Sequence, residues 1–223
     1  MPFDRRELAE LPRVVSEPRF ATYLKATAND RERALGLYEW NLRISAAFMV
    51  PLQVCEVSTR NGVAEAIGLL HGENWPWSNG FLRSLPRPRR TRDYDPKSDL
   101  EAVAAHQPTT GKVVADLKLA FWEKLFTVGQ DHRLWEPYFR VAFPGAPPEL
   151  DIPTARAKAF ADLQAIRKLR NRIAHHEPIF SRTLTTDYRR IVEIIGWRSR
   201  VAAEWVGRVQ DVTRLIPEIP DLA

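Results

Sequence analysis

Two histidines and two arginines lie close together in RNRIAHHEP, residues 170–178, although the chain has only five histidines in all. A histidine that gains and loses a proton near pH 7 suits general acid–base catalysis. An arginine can bind a phosphate through two parallel hydrogen bonds. RNA cleavage without a metal requires such groups: a base for the 2′-OH proton, a cation for the pentavalent phosphate and an acid for the leaving oxygen.

A helix from about residue 153 to 174, ended by Pro178, is predicted to carry this stretch, because the residue before a proline disfavours helical geometry. On a helical wheel, Arg170 falls in the middle of an apolar stripe, whereas Lys168 and Arg172 point away from it. The stripe consists of Phe160, Leu163, Ile166, Ile173 and Ala174, with Leu169 at its edge. Since an arginine is almost never buried without a partner, Arg170 is a candidate functional cation.

Asn171 and His175 are four residues apart and share a flank beside that stripe. His175 lies at the C-terminal end of the helix, where free carbonyl groups stabilise a positive charge. It is therefore the candidate acid–base group. A structural alternative stays open, in which His175 and His176 satisfy the last carbonyls of the helix and Arg170 belongs to a structural ion pair.

A second apolar stripe with charged residues lies in the tract predicted to be helical from about residue 30 to 70, which Pro51 should kink or divide. Glu56 and Arg60 fall on this stripe, four residues apart in the favourable acid-first order. Because buried charges need partners, we expect the two helices to meet and Glu56, Arg60 and Arg170 to share one polar network. In the alternative, Glu56 and Arg60 pair only with each other.

The remaining pattern is also helical, and no segment alternates with the period of two that is typical of a strand. The fold class is therefore predicted to be all-α. Further helices are predicted to begin at Ser16-Glu17-Pro18, to cover 109–126 as one helix from a threonine cap, to cover 131–142, and to cover 185–215 with a break at Gly196. PRPRRTRDYDP, residues 86–96, is predicted to be an exposed basic loop.

Composition restricts the possible functions. The chain has 223 residues, of which 44% are hydrophobic, enough for one folded domain. The net charge of +5 favours polyanions such as RNA or DNA. Cys55 is the single cysteine, and no carboxylate cluster lies near the histidines, so we expect no disulfide, metal or other cofactor. The start of the chain lacks a secretory signal and no apolar run could span a bilayer, so a cytoplasmic protein without membrane contact is expected.

The stretch Arg170-Asn171-Arg172-Ile173-Ala174-His175 resembles the motif of the HEPN superfamily, in which four to six residues separate an arginine from a histidine. LRNRIAHHEPIF, residues 169–180, is similar to the Abi-like branch, the abortive-infection proteins of bacteria. Residues 37–67 and 110–125 also look like that branch. The resemblance covers about residues 30 to 210.

This resemblance implies an all-α bundle of the HEPN type with additional helices, forming a single domain over 1–223 with residues 1–29 as an appended arm. It implies a homodimer with a composite site and metal-independent RNA cleavage that leaves a 2′,3′-cyclic phosphate. Arg170 and His175 would be catalytic, Asn171 would orient the histidine or the phosphate, and His176, Glu177, Glu56 and Arg60 would support them. The implied role is a toxin in phage defence, with RNA such as tRNA as substrate and an antitoxin as a candidate partner.

Two other functions fit the same residues, and each makes a distinct structural prediction. A nuclease requires Arg170 and His175 to converge on an accessible groove. A non-catalytic RNA-binding or protein-interaction module would place its basic patch away from the motif, for example in the loop 86–92. A plain helical dimerisation scaffold would have Arg170 and His175 buried and satisfied by each other.

Overall fold

The computed structural model describes residues 3–88 and 90–222, which form α-helices joined by short turns. No β-strand occurs in these residues, so the predicted all-α fold class is confirmed. In chain order the helices are α1 (Arg5–Val14), α2 (Glu17–Ala26), α3 (Arg31–His71), α4 (Asn79–Ser84), α5 (Pro96–Ala104), α6 (Thr110–Asp116), α7 (Leu119–Lys124), α8 (Glu136–Ala142), α9 (Ile152–Ala174), α10 (Leu184–Arg198), α11 (Arg200–Val209) and α12 (Val212–Leu215). Short 3₁₀ turns cover Trp75–Trp77, Val128–Gln130 and Ile216–Glu218, and a π turn covers Asp131–Trp135.

The 41-residue helix α3 is the central element, and α2, α8, α9 and α10 all pack against it. The Asp30 carboxylate caps its start by accepting the N–H of Arg33 at 3.0 Å. It ends at Gly72, whose φ of +81° favours glycine. Pro51 lies within α3 and does not divide it, because Pro51 is buried and tertiary packing supports the helix across the lost hydrogen bond.

Aromatic side chains fill the core between these helices. The fully buried members are Phe20, Tyr23, Phe48, Trp75, Phe81, Phe121, Trp122, Phe126, Trp135, Phe139 and Phe143. The indole N–H groups of Trp40 and Trp135 each donate to a backbone carbonyl, of Leu215 at 2.8 Å and of Leu125 at 2.7 Å. Cys55 is also buried, which raises the pKa of its thiol to about 12, so the thiol stays protonated and unreactive at neutral pH.

Several helix boundaries differ from the prediction. The segment 109–126 is not one helix: Thr109 caps α6 as expected, but Leu117 and Lys118 are extended and separate α6 from α7. This break buries Leu117 and places the Lys118 ammonium 2.6 Å from Asp99. A hydrophobic pattern over 109–126 does not reveal it, because the contacts that favour the break come from another helix.

The predicted break at Gly196 is also misplaced. Gly196 lies inside α10, and the chain instead turns at Ser199, whose backbone is extended. The Ser199 hydroxyl then accepts the N–H of Ala202 at 3.2 Å and caps α11. Among the described residues, no helix is both long enough and apolar enough to cross a lipid bilayer.

Candidate active site

The helix α9 carries the Arg170 to His175 motif and has a defined turn at each end. The Asp151 carboxylate caps its start by accepting the N–H of Thr154 at 2.7 Å. At the other end, the N–H groups of His175, His176 and Glu177 donate to the carbonyls of Asn171, Ile173 and Arg172 at 2.9, 3.0 and 2.8 Å. This is a Schellman motif. The backbone of the histidine pair, rather than the imidazole rings, therefore satisfies the last carbonyls of the helix.

His176 occupies the left-handed position of this motif, with φ of +56°. Glycine is usual there, and another L-residue costs about 1–2 kcal/mol. Arg19 from α2 stabilises the turn, because its guanidinium donates to the carbonyl of His176 at 2.9 Å. The side chains of His175 and His176 are exposed, and within residues 3–88 and 90–222 neither imidazole makes a hydrogen bond. Both rings are thus free to face a ligand.

The segment after the histidines is fixed to α3. The side-chain carbonyl oxygen of Asn41, a buried residue, accepts the N–H of Ile179 at 2.8 Å. Glu177 forms an ion pair with Arg172 at 3.4 Å, between the turn and the last turn of α9. Glu177 therefore holds the turn rather than facing Arg170.

Arg170 reaches across to α3, where its Nε atom lies 3.8 Å from an Oε atom of Glu56. The expected contact between the charged faces of α3 and α9 is therefore observed for Arg170 and Glu56. Arg60 behaves differently, since its guanidinium donates to the carbonyl of Ala115 at 3.2 Å. Among the described residues, Glu56 pairs with Arg170 and forms no ion pair with Arg60. Only the Glu56–Arg170 part of the expected network is therefore present, and the alternative in which Glu56 pairs only with Arg60 is not observed either.

These three residues line an open groove of about 280 Å³ between α3 and α9, here called the Arg170 groove. Its lining residues are Met49, Leu52, Gln53, Glu56, Val57, Arg60 and Arg170. The side chain of Arg170 is 44% exposed, so it lies at the rim of the groove rather than in the core. Two guanidinium groups and one carboxylate line this groove, and the buried Nε–H of Arg60 has no hydrogen-bond partner within residues 3–88 and 90–222. The groove therefore has excess positive charge and an unused donor, which suits an anion such as a phosphate.

His176 lines a second depression of about 340 Å³, here called the His176 cleft. Its lining residues are Val15, Arg19, Tyr23, Tyr38, Asn41, Leu42, Ser45, Ile173 and His176. Burial raises the pKa of Tyr23 to about 12, so its phenol stays protonated at neutral pH. The cleft thus combines a cation, an imidazole and a hydroxyl.

The single chain does not bring Arg170 and His175 into one pocket. They are five residues apart on α9, which separates them by about 7.5 Å along the helix and about 140° around it. Arg170 lies in its groove, whereas His175 lines neither depression and is exposed at the C-terminal end of α9. Asn171 lies in the last turns of α9, between Arg170 and His175, and is partly exposed.

An apolar surface on α3 joins the two depressions. Leu42 lines the His176 cleft and Met49 lines the Arg170 groove, and these side chains are 55% and 50% exposed. They are seven residues apart, so they lie on the same side of the helix about 10 Å from each other. Val50 beside them is also exposed. Exposed apolar side chains next to a charged site are typical of an interaction surface.

Sequence reasoning missed Arg19 and Asn41. Arg19 is 157 residues from His176, and Asn41 is 138 residues from Ile179. Nothing in the local pattern around either residue indicates these contacts. A polar residue on the buried face of α3 was the available signal for Asn41, and the sequence offers none for Arg19.

The described residues contain no group of three or more histidine, cysteine, aspartate or glutamate side chains that could hold a metal ion. No protein-family model matches this chain, and no curated protein or solved structure is found to be similar to it. The assignment of a function consequently depends on the motif residues and on the geometry of the surface around them.

Proposed function

We propose that this protein is a metal-independent endoribonuclease of the HEPN type that acts as a toxin in phage defence. One observation carries the proposal. Arg170 lies at the rim of an accessible, positively charged groove, and two exposed imidazoles follow it at the end of the same helix. The plain scaffold function requires Arg170 and His175 to be buried and mutually satisfied, which disagrees with their exposure.

In the proposed reaction, a scissile phosphate of RNA binds in the Arg170 groove. His175 removes the proton of the adjacent 2′-OH, and the 2′ oxygen attacks phosphorus. The guanidinium of Arg170 stabilises the extra negative charge of the pentavalent phosphate. The bond to the 5′ oxygen breaks as that oxygen receives a proton from an acid. The products are a 2′,3′-cyclic phosphate and a 5′-hydroxyl, so no water is consumed in this step.

We infer that the active form is a homodimer, because Arg170 and His175 lie about 140° apart around α9 in a single chain. A second copy packed on the apolar surface of α3 would place a second imidazole opposite the first Arg170 groove. Leu42 and Met49 supply exposed apolar area between the two depressions, where such a contact would form. The dimer would thereby provide both the base and the acid.

Met49→Glu is expected to weaken dimerisation and to lower the rate of RNA cleavage with it. A charge placed in the centre of an apolar interface weakens association by about 2 kcal/mol or more, roughly 30-fold in the dimer dissociation constant. Because the Met49 side chain is half-exposed in one chain, the stability of the monomer should change little. Sedimentation equilibrium across protein concentrations measures the effect, with Val14→Glu, at an 80% exposed residue of α1, as the matched control. A wild-type protein that is monomeric at the concentration where it cuts RNA would contradict the dimer.

The proposed activity is tested by incubating the purified protein with total bacterial RNA in EDTA and mapping the fragment ends. We expect cuts that persist under chelation and leave 2′,3′-cyclic phosphates and 5′-hydroxyls. Cuts that disappear in EDTA, or ends with 3′-hydroxyls, would disprove the proposed chemistry.

The second candidate function is a non-catalytic RNA-binding module of the same fold. The observation that favours it is the separation of Arg170 from both histidines in the single chain, since binding needs no convergence of these groups. The same incubation separates the two functions. A binding module retains intact RNA on the protein, whereas the nuclease releases fragments.

A further inference from the structure

A further depression lies away from the motif, between the basic loop 86–96 and the N-terminal half of α9. It has a volume of about 650 Å³, and we call it the basic cleft. Its lining residues are Pro86, Arg87, Pro88, Asp93, Tyr94, Pro96, Lys124, Thr127, Val128, Gly129, Arg156, Phe160 and Gln164. None of these residues lines the Arg170 groove or the His176 cleft.

The wall of the basic cleft on α9 is rigid. The guanidinium of Arg156, which is 12% exposed, donates two hydrogen bonds to the carboxylate of Asp131, at 2.8 and 3.1 Å. It also donates to the carbonyl of Phe126 at 3.2 Å. The charge of Arg156 is thus neutralised by Asp131, and its role is to fix α9 against the turn that forms the floor of the cleft.

Two other cations supply the charge of the basic cleft. Arg87 and Lys124 form no ion pair with any residue of 3–88 and 90–222, and both line the cavity. Asp93 is the one acidic side chain in the lining, so the cleft has a net positive charge. Its carboxylate accepts the N–H of Arg90 at 3.1 Å, which shapes the loop. A cavity with unpaired cations attracts an anionic ligand.

Flat apolar surfaces face these cations. The rings of Tyr94 and Phe160 are half-buried in the walls. The Tyr94 hydroxyl donates to the carboxylate of Asp99 at 2.6 Å, which holds that ring in place. Aromatic rings stack on nucleobases irrespective of base identity, and nearby arginine or lysine side chains bind the phosphates between them. The combination therefore fits a nucleotide unit better than a simple inorganic anion.

The basic cleft and the Arg170 groove lie along the same face of α9. Arg156, Phe160, Arg167 and Arg170 fall within about 80° of one another around the helix. Phe160 and Arg170 are ten residues apart, which places them about 15 Å apart along the axis. Arg167 lies between them and is 30% exposed. The same face of α9 therefore connects the Arg170 groove, where cleavage is proposed, with the basic cleft, which suits a base and a phosphate.

We propose that the basic cleft binds one nucleotide of a single-stranded RNA substrate, with its base on Phe160 and Tyr94 and its phosphate on Arg87 and Lys124. The rigid helix α9 then sets a constant distance between this nucleotide and the phosphate that is cut. The cleft therefore determines where on an RNA strand cleavage occurs and favours unpaired segments. This inference rests on the proposed ribonuclease function for its position relative to the cut.

The test is RNA binding in a His175→Ala background, in which the probe stays intact. A fluorescent single-stranded RNA oligonucleotide is titrated by anisotropy at several salt concentrations. Phe160→Leu, which removes the ring but keeps apolar volume, is expected to weaken binding by about 5-fold to 150-fold. Arg87→Gln should lower the slope of log affinity against log salt by about 0.7, the value for one lost phosphate contact with a single strand.

Arg5→Gln is the matched control, because Arg5 is exposed on α1 and its replacement removes the same charge. It should leave the salt slope unchanged. Thermal unfolding of every variant separates loss of binding from loss of fold. If folded Phe160→Leu and Arg87→Gln proteins bind the oligonucleotide as the parent does, the proposal is wrong.

Two further measurements distinguish this proposal from the nuclease and from a free nucleotide ligand. If wild-type protein cuts RNA but the cleft variants leave both affinity and cut positions unchanged, the cleft is not a subsite and the nuclease stands. If the cleft variants lose RNA binding while wild-type protein never cuts, the RNA subsite stands without the nuclease. Fluorescent ADP is the second probe. Tight binding of ADP that Phe160→Leu abolishes, with RNA binding unaffected, would overturn the strand assignment in favour of a free nucleotide.

Discussion

Replacing His175 with alanine is expected to slow RNA cleavage by about 10²-fold to 10⁴-fold, the usual contribution of a general acid or base. The imidazole is exposed at the end of α9, and the backbone N–H of His175 rather than its ring caps the helix. Alanine keeps that backbone hydrogen bond, so the fold and the affinity for RNA should be retained. The effect should appear in the single-turnover rate, measured with excess enzyme and an end-labelled RNA.

Arg170→Lys is the corresponding test of the cation. Lysine keeps the positive charge near Glu56 but lacks the planar group that binds two phosphate oxygens at once. Loss of a donor to the developing negative charge lowers the rate by about 10²-fold to 10³-fold. Binding of uncut RNA should change much less, because the charge that dominates binding is still present.

His176→Ala is the matched control for His175→Ala, because it removes the neighbouring exposed imidazole. His176 lines the cleft that contains Arg19, whereas His175 does not. Should His176→Ala be the inactive variant and His175→Ala be fully active, the base is His176 and the site is its cleft. A folded, fully active protein with both histidines replaced would exclude acid–base catalysis by this motif.

Arg167→Met is expected to reduce the free energy of unfolding by about 3–5 kcal/mol, the usual cost of leaving a buried charge without its partner. Arg167 forms an ion pair with Glu123 of α7, one turn of α9 before Arg170. The Glu123 side chain is fully buried, whereas that of Arg167 is 30% exposed. Loss of Arg167 therefore leaves a carboxylate that cannot reach water.

Glu123→Gln should cost much less, about 1–2 kcal/mol, because the remaining guanidinium can still be solvated. The double variant Glu123→Leu, Arg167→Met should recover part of the loss, since it replaces both charges with apolar side chains. Urea denaturation followed by circular dichroism measures all three variants. If the Glu123→Gln protein is less stable than the Arg167→Met protein, the difference in burial between Glu123 and Arg167 does not determine the loss of unfolding free energy.

The loss of RNA cleavage in these stability variants should follow the loss of folded protein, in contrast to His175→Ala and Arg170→Lys. Arg167 anchors α9 to α7 but lies outside the Arg170 groove. At a temperature where Arg167→Met is folded, its cleavage rate should be close to that of the wild type. This separates a structural arginine from a catalytic one on the same helix face.

The helices that carry the site are determined by local signals in the sequence. The start of α3 follows from the Asp30 cap and the start of α9 from the Asp151 cap, and apolar periodicity sets their buried faces. The charges of Glu56 and Arg170 on two apolar stripes indicated that these helices meet. The caps and the periodicity involve residues within a few turns of one another, so local sequence encodes them. The meeting of the two helices follows instead from the need of a charge on an apolar face for a partner.

Tertiary structure alone decided where the chain leaves the helical pattern and how exposed the charges are. The break at Leu117 and Lys118 depends on contacts with α5, and the turn at His176 depends on Arg19, 157 residues away. Arg170 belongs to an apolar stripe in the sequence, yet its side chain is 44% exposed at the rim of the groove between α3 and α9. The basic cleft likewise joins three segments that are distant in sequence. Such contacts arise from the packing of whole helices, and no local pattern of residue types encodes them.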